Sequence, residues 1–197
     1  MSEHWAWSEG SAMKVCFVTT GATAPFTALI ESVLQTDSIK TLRKLGYTHL
    51  LVQYGSARNV FEESLKAAHS EAGDLVIAGI DFDPQGLDKQ LKLVSDSKGT
   101  IISHAGSGSI LAALRYQVPL IVVPNTQLLD NHQSELAIAM DKSGYLIEGQ
   151  VNNISAALDR SETFRAKMTT FPPITSGKHR ETKSFAAIMD ETMGFLD

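Results

Sequence analysis

The chain has 197 residues, of which 43% are hydrophobic and 20% charged, and its formal net charge is −5. These values are typical of one globular domain with a sizeable core and exclude a disordered chain. The acidic balance, without a basic stripe, argues against a nucleic-acid partner. No apolar run approaches the roughly 20 residues that span a bilayer, and the N-terminus lacks the apolar core of a signal peptide. We therefore expect a cytoplasmic protein.

From residue 14 onward, short apolar runs alternate with segments that carry apolar residues three and four positions apart. Pro25 is predicted to lie in the first turn of the first helix. The predicted strands cover 14–20, 47–53, 75–80, 100–102, 120–123 and 145–148. The predicted helices cover about 25–35, 38–45, 60–72, 87–95, 110–116, 130–143, 154–160 and 179–196.

The pattern divides the chain into three segments: a loose tail over 1–12, a sheet domain over 13–170, and a loop and helix over 171–197. Cys16 falls in the first apolar strand and is predicted to be a buried thiol in a reducing compartment. The last helix carries an apolar stripe that packs either on its own sheet or on another protein. The stripe includes Phe185, Ile188, Met189 and Leu196.

Strands that alternate with helices predict an α/β, Rossmann-like fold with a largely parallel sheet and helices on both faces. Ligands of such sheets bind at the carboxyl ends of the strands. We therefore expect the turns over 19–23, 80–86, 104–109 and 124–133 to converge on one site.

The turn over 104–109, His-Ala-Gly-Ser-Gly-Ser, lies between a predicted strand and a predicted helix. The first N–H groups of a helix have no intrahelical partner and carry partial positive charge, so this position favours an anion. Gly106 and Gly108 would let a phosphate oxygen approach the backbone, and Ser107 and Ser109 can donate hydroxyl hydrogens. A nucleotide diphosphate fits this chemistry, although the same residues can form a plain glycine turn.

Two further turns have structural alternatives. Asp130 followed by Gln133 is close to a capping box, a helix start that needs no ligand. The Thr20-Gly21-Ala22-Thr23 turn suits any first turn of an α/β sheet. Because it lacks the GxGxxG spacing and no acid follows the second strand, a dinucleotide site is disfavoured.

Three stretches together resemble one known family. They are the turn over 104–109, the strand from Val118 to Pro124 and the helix start from Asp130 to Gln133, with a weaker match over 15–23. They are similar to the nucleotide-sugar half, the C-terminal half, of GT-B glycosyltransferases. More narrowly, they resemble the cytosolic catalytic subunits of the two-subunit UDP-N-acetylglucosamine transferases of dolichol-linked oligosaccharide synthesis.

The resemblance implies a role for each turn. His104 would donate a hydrogen bond to a phosphate oxygen, and Asp81 and Phe82 match the segment that reads uracil. Many relatives carry an acid for the ribose hydroxyls where this chain has Ala112, so ribose must be held otherwise. The implied diphosphate-binding residues are Gly21, Ala22, Thr23, His104, Gly106, Ser107, Gly108 and Ser109, and the implied sugar-binding residues are Asn131, His132 and Gln133.

The implied reaction is an inverting transfer of GlcNAc from UDP-GlcNAc to GlcNAc-diphosphodolichol, without metal or cofactor. The chain has one of the two domains of a GT-B enzyme. The acceptor-binding half, and with it the general base, would come from a membrane-anchored partner at the cytosolic face of the endoplasmic reticulum. The apolar stripe of the last helix would dock that partner. Two alternatives are a non-catalytic nucleotide-binding regulatory module and a UDP-sugar epimerase-like protein.

Overall fold

Six parallel strands form the centre of the described part of the chain. The computed structural model describes residues 10–21, 24–125 and 132–168. Within these residues the sheet has the order β3-β2-β1-β4-β5-β6, with neighbouring strands parallel. The strands are β1 (Val15–Thr19), β2 (His49–Gln53), β3 (Val76–Ile80), β4 (Thr100–His104), β5 (Leu120–Val123) and β6 (Ile147–Glu148).

Helices cover both faces of this sheet. Alternate strand residues point to opposite faces, so Val18 and Val52 belong to one core cluster and Phe17 and Leu51 to the other. The first face is covered by α1 (Thr27–Val33), α2 (Thr36–Lys44), α3 (Arg58–Ala72) and α7 (Ile154–Met168). The second face is covered by α4 (Asp88–Asp96), α5 (Ser107–Arg115) and α6 (His132–Lys142). The predicted Rossmann-like fold is thereby confirmed.

Several predicted boundaries were wrong. Pro25 precedes the first helix, because α1 begins at Thr27. The helix after β4 begins at Ser107 rather than at residue 110. Its Leu111 is 42% exposed. The last described helix, α7, continues to Met168 instead of ending near residue 160.

Polar contacts hold α7 against the first face. The Glu162 carboxylate lies 3.0 Å from Lys14 Nζ and accepts a 3.0 Å hydrogen bond from the Tyr47 hydroxyl. Burial alone would raise the pKa of Glu162, but hydrogen bonds from Lys14 and Tyr47 and the charge of Arg165 lower it. The carboxylate form therefore ties α7 to the start of β1.

The buried thiol and the absence of a membrane-spanning helix were both predicted for the described part of the chain. Cys16 is fully buried, as predicted, and burial raises the pKa of its thiol. None of the helices in the described ranges is both long and apolar enough to cross a membrane. The predicted tail up to residue 9 and the predicted helix over 179–196 lie outside the described residues.

Candidate functional site at the carboxyl edge of the sheet

The strand order reverses between β1 and β4, and this reversal creates a crevice. The chain leaves β1 towards α1 on the first face, whereas it leaves β4 towards α5 on the second face. Open α/β sheets bind ligands in such a crevice, beyond the carboxyl ends of the strands. Gly21 and His104 lie there, at the ends of the two diverging strands.

The His104 ring is packed between two glycines. A Cβ atom added to Gly21 would lie 2.5 Å from both Cε1 and Nε2 of the ring, and one added to Gly106 would lie 2.3 Å from Nε2. Gly21 also has a φ of +80°, which favours glycine. Both glycines therefore make room for the imidazole. For Gly106, making room for the His104 ring is a role in addition to the predicted one, which was to let a phosphate approach the backbone.

The environment of His104 favours the neutral ring. Burial lowers the pKa of His104, and a hydrogen bond with the Thr19 backbone opposes that shift only in part. Its Nδ1 atom is buried and has no hydrogen-bond partner among the described residues. The single N–H of the neutral ring donates to the Thr19 backbone, so a hydrogen bond from Nδ1 to a phosphate needs the second proton, which an adjacent anion would favour.

The N-terminus of α5 follows directly after this ring. Gly106 is the N-cap residue and provides no side-chain cap, and no acidic residue lies in the first turn of the helix. Gly108 is exposed, and a Cβ atom there would meet nothing within 4 Å. The first turn of α5 therefore has open space beside Gly108, and it also carries the hydroxyls of Ser107 and Ser109.

A cavity of about 230 Å³ adjoins the crevice on the β2 side. Turns after β1, β2 and β3 line it, through Thr20, Gly21, Ala24, Pro25, Tyr54, Gly55, Ser56, Asp81 and Phe82. Tyr54 is fixed there by Phe61, with ring centroids 5.3 Å apart. Gly79 leaves the space for both rings, since a Cβ atom there would lie 2.4 Å from Phe61.

Asp81 and Phe82 lie at the outer wall of this cavity. The Asp81 carboxylate accepts a 2.6 Å hydrogen bond from the Phe82 N–H, and the Phe82 side chain is 53% exposed. Asp83 fixes the loop that follows, through bonds from the Gln85 N–H and the Gln90 amide. The structure thus presents an exposed aromatic face beside the cavity.

Sequence reasoning missed the turn after β2, which contributes Tyr54, Gly55 and Ser56. The signal was the glycine two residues after the strand end, because Gly55 has a φ of +56° and packs close to the β1 turn. That turn has no recognisable motif. Only the pairing of β2 with β1 in the sheet shows that it lies beside the β1 turn.

The structure describes only some of the remaining predicted site residues. Gln133 lies in the first turn of α6, and its Oε1 atom is buried without a hydrogen-bond partner among the described residues. His132 begins α6, and Ala112 packs at the edge of the second core cluster. Outside the described residues lie Ala22, Thr23, Asp130 and Asn131, together with Phe185, Ile188, Met189 and Leu196. The assigned roles of all these residues stay predictions.

Comparison with known proteins gives a consistent result. The glycosyltransferase family 28 C-terminal domain matches residues 15–187. The chain is 35% identical over 177 residues to the UDP-N-acetylglucosamine transferase subunit ALG13 of Eremothecium gossypii, covering 81% of this chain and 86% of that protein.

Solved structures agree. The NMR structure of ALG13 aligns with a TM-score of 0.58 and 29% identity, over 83% of this chain and 90% of that one. The Acinetobacter baumannii MurG structure aligns with a TM-score of 0.55 over 82% of this chain but only 44% of that one, and at 17% identity it shows the fold alone. The chain therefore belongs to the family of glycosyltransferase family 28 C-terminal domains, and within that family to the UDP-N-acetylglucosamine transferase subunits named ALG13.

Proposed function

We propose that this chain binds UDP-GlcNAc and transfers its GlcNAc, as the nucleotide-sugar-binding catalytic subunit of a GlcNAc transferase. The observation that carries the proposal is the uncapped N-terminus of α5 directly after His104. A helix N-terminus beside an N–H donor stabilises a diphosphate, and it stabilises a leaving diphosphate most. The names of the ALG13 relatives support this choice of sugar donor.

The roles of the residues follow from their positions. In an inverting transfer the acceptor hydroxyl attacks the anomeric carbon while the bond to UDP breaks, so negative charge grows on the diphosphate. The α5 N–H groups and the His104 ring N–H would meet that charge, and Ser107 and Ser109 would add hydroxyl donors. The exposed face of Phe82 supports our assignment of uracil to the β3 turn.

Donor binding can be tested by calorimetry. We expect UDP-GlcNAc to bind better than UDP-GalNAc, and NADH not to bind. His104→Leu removes the N–H donor and should weaken binding roughly tenfold or more, since a hydrogen bond to a charged group contributes about 1.5–3 kcal/mol. His69→Leu is the matched control, because His69 is exposed on α3. Equal affinity of both variants would contradict the role of His104.

We further propose that a membrane-anchored partner holds the acceptor, GlcNAc-diphosphodolichol, at the cytosolic face of the endoplasmic reticulum. The names of the relatives, which are called subunits, support a partner. The partner would complete the cleft above the carboxyl edge of the sheet. We also propose that the reaction needs no metal or cofactor.

Reconstitution tests the partner and the metal. We expect the purified chain to bind UDP-GlcNAc but to form no chitobiosyl lipid until membranes bearing the partner are added, with EDTA having no effect. Truncation after Gly177 should preserve donor binding and abolish the gain from those membranes. Turnover by the isolated chain would overturn the two-subunit proposal. Donor binding without transfer under every condition would favour the non-catalytic alternative.

A further inference from the structure

We infer that Gln53 is a positioning residue of the donor site, because through Thr19 it fixes the Gly21 turn that packs on His104. Gln53 does not line the cavity, whereas Thr20 and Gly21 do. It therefore acts on the ligand through other residues. The effect of Gln53 on ligand binding rests on the proposed function, whereas its effect on the His104 ring does not.

The connection is a short relay of hydrogen bonds. Thr19 and Gln53 are register partners at the carboxyl ends of β1 and β2. The Thr19 hydroxyl donates to Gln53 Oε1 at 2.6 Å and accepts from the Gly21 N–H at 3.4 Å. One hydroxyl thereby joins the Gln53 side chain to the backbone of the turn.

A second bond joins the same two elements. The Thr20 hydroxyl donates to the backbone carbonyl of Gln53 at 3.1 Å. The last residue of β2 thus holds the last residue of β1 and the first residue of the turn that follows it. Both Thr19 and Gln53 are 1% exposed, so water competes little for these bonds and they define the turn's position closely.

Only the oxygen of the Gln53 amide has a hydrogen-bond partner among the described residues, and this distinguishes a positioning role from a packing role. Its Nε2 atom is buried without a hydrogen-bond partner among the described residues. An unpaired buried donor destabilises a fold, so packing alone would favour an apolar side chain at this position. We therefore assign the role of Gln53 to its amide oxygen, which accepts the hydrogen bond from Thr19.

The effect on the site follows from the close contact between Gly21 and His104. There is no room between the turn and the ring for even one methyl group. Any displacement of the turn therefore changes both the orientation of the ring and its access to water. His104 would then present its N–H group to the donor in a different place.

Four substitutions test this inference. Thr19→Val removes the hydroxyl with little change of shape, Thr19→Ser restores a hydroxyl, and Gln53→Leu removes the acceptor. The matched control is Thr100→Val, because Thr100 is also fully buried and donates to the Pro119 carbonyl at 3.1 Å, at the amino end of β4. The readouts are unfolding by urea, the pKa of His104 by NMR titration, and UDP-GlcNAc affinity by calorimetry.

We expect Thr19→Val and Gln53→Leu to raise the pKa of His104 towards its ordinary value, since a loosened turn admits water to the ring. They should weaken UDP-GlcNAc binding roughly fivefold to tenfold, the equivalent of one net hydrogen bond. Thr19→Ser should restore both properties. Thr100→Val should lose stability but leave both unchanged.

The inference is overturned if Thr19→Val leaves the His104 titration as it is in the unmodified chain, or if Thr100→Val shifts it equally. The titration is measured without ligand. If the unmodified chain binds no UDP-GlcNAc, the proposed function fails, while the titration still decides whether Gln53 positions His104.

Discussion

Replacing Gly21 by alanine isolates the contact between the β1 turn and the His104 ring. The new Cβ atom would lie 2.5 Å from two ring atoms, and the residue would keep a φ of +80°. Gly46 provides the matched control, because its φ is +77° and nothing lies within 4 Å of an added Cβ atom. Gly46→Ala therefore has the backbone strain of Gly21→Ala without the clash.

The two contributions can be separated in magnitude. Left-handed backbone geometry costs a non-glycine residue about 1–2 kcal/mol, which is the whole expected effect of Gly46→Ala. In Gly21→Ala the ring must also leave its packed position, and overpacking costs about 1–3 kcal/mol more. We expect total losses of about 2–5 kcal/mol for Gly21→Ala.

Urea unfolding measures these losses, and calorimetry measures the consequence for UDP-GlcNAc. A displaced His104 cannot donate to the phosphate, so the affinity of Gly21→Ala should fall roughly tenfold to a hundredfold. Gly46→Ala should bind normally. If the two variants lose the same stability and both keep full affinity, the packing of His104 against the turn does not matter for binding.

The remaining predictions concern pH, the nucleobase and the buried thiol. UDP-GlcNAc affinity should rise as the pH falls from 8 towards 6, because the bound diester phosphates favour the second proton on His104, and calorimetry should show no such rise in His104→Gln. The same ring makes the free protein less stable below about pH 6.5, since its pKa is lowered on folding and the unfolded chain takes up the proton first. The difference between the urea midpoints of the unmodified chain and His104→Gln should therefore be constant at high pH and change as the pH falls below about 6.5. Phe82→Ala should leave the unfolding midpoint almost unchanged and weaken UDP binding, whereas unchanged binding would remove Phe82 from the uracil site. Cys16 should react with a thiol reagent only as fast as the chain unfolds, and rapid labelling of the native protein would contradict its burial.

The sequence was sufficient for the alternation of strands and helices, because fully buried strands such as β1 and β5 are continuous apolar runs. It was less informative where a polar residue interrupts a buried stripe. In α7 the buried position after Leu158 is Ser161, and only then does Phe164 pack on the first core cluster, next to Glu162 and its partners Lys14 and Tyr47. The prediction ended the helix before this interruption and so stopped eight residues too early.

The candidate site shows the same division. His104 and the α5 turn could be found from their residue types, because a glycine-containing turn before a helix is a local feature. The reason for Gly106 could not be found, since it depends on where the His104 ring points. The relay from Gln53 to Gly21 joins residues 32 positions apart and exists only after β1 and β2 are paired.

The position of α7 also affects the order in which the domain can form during synthesis. Its contacts join Tyr47 to Glu162 and Lys44 to Asp159, pairs that are 115 residues apart. Closing so long a loop is entropically costly and must wait for the ribosome to release the second half of the chain. Until then the apolar surface between α2 and β5 is open to water. A nascent chain of this protein therefore keeps that surface exposed to chaperones and to aggregation until its last described helix emerges.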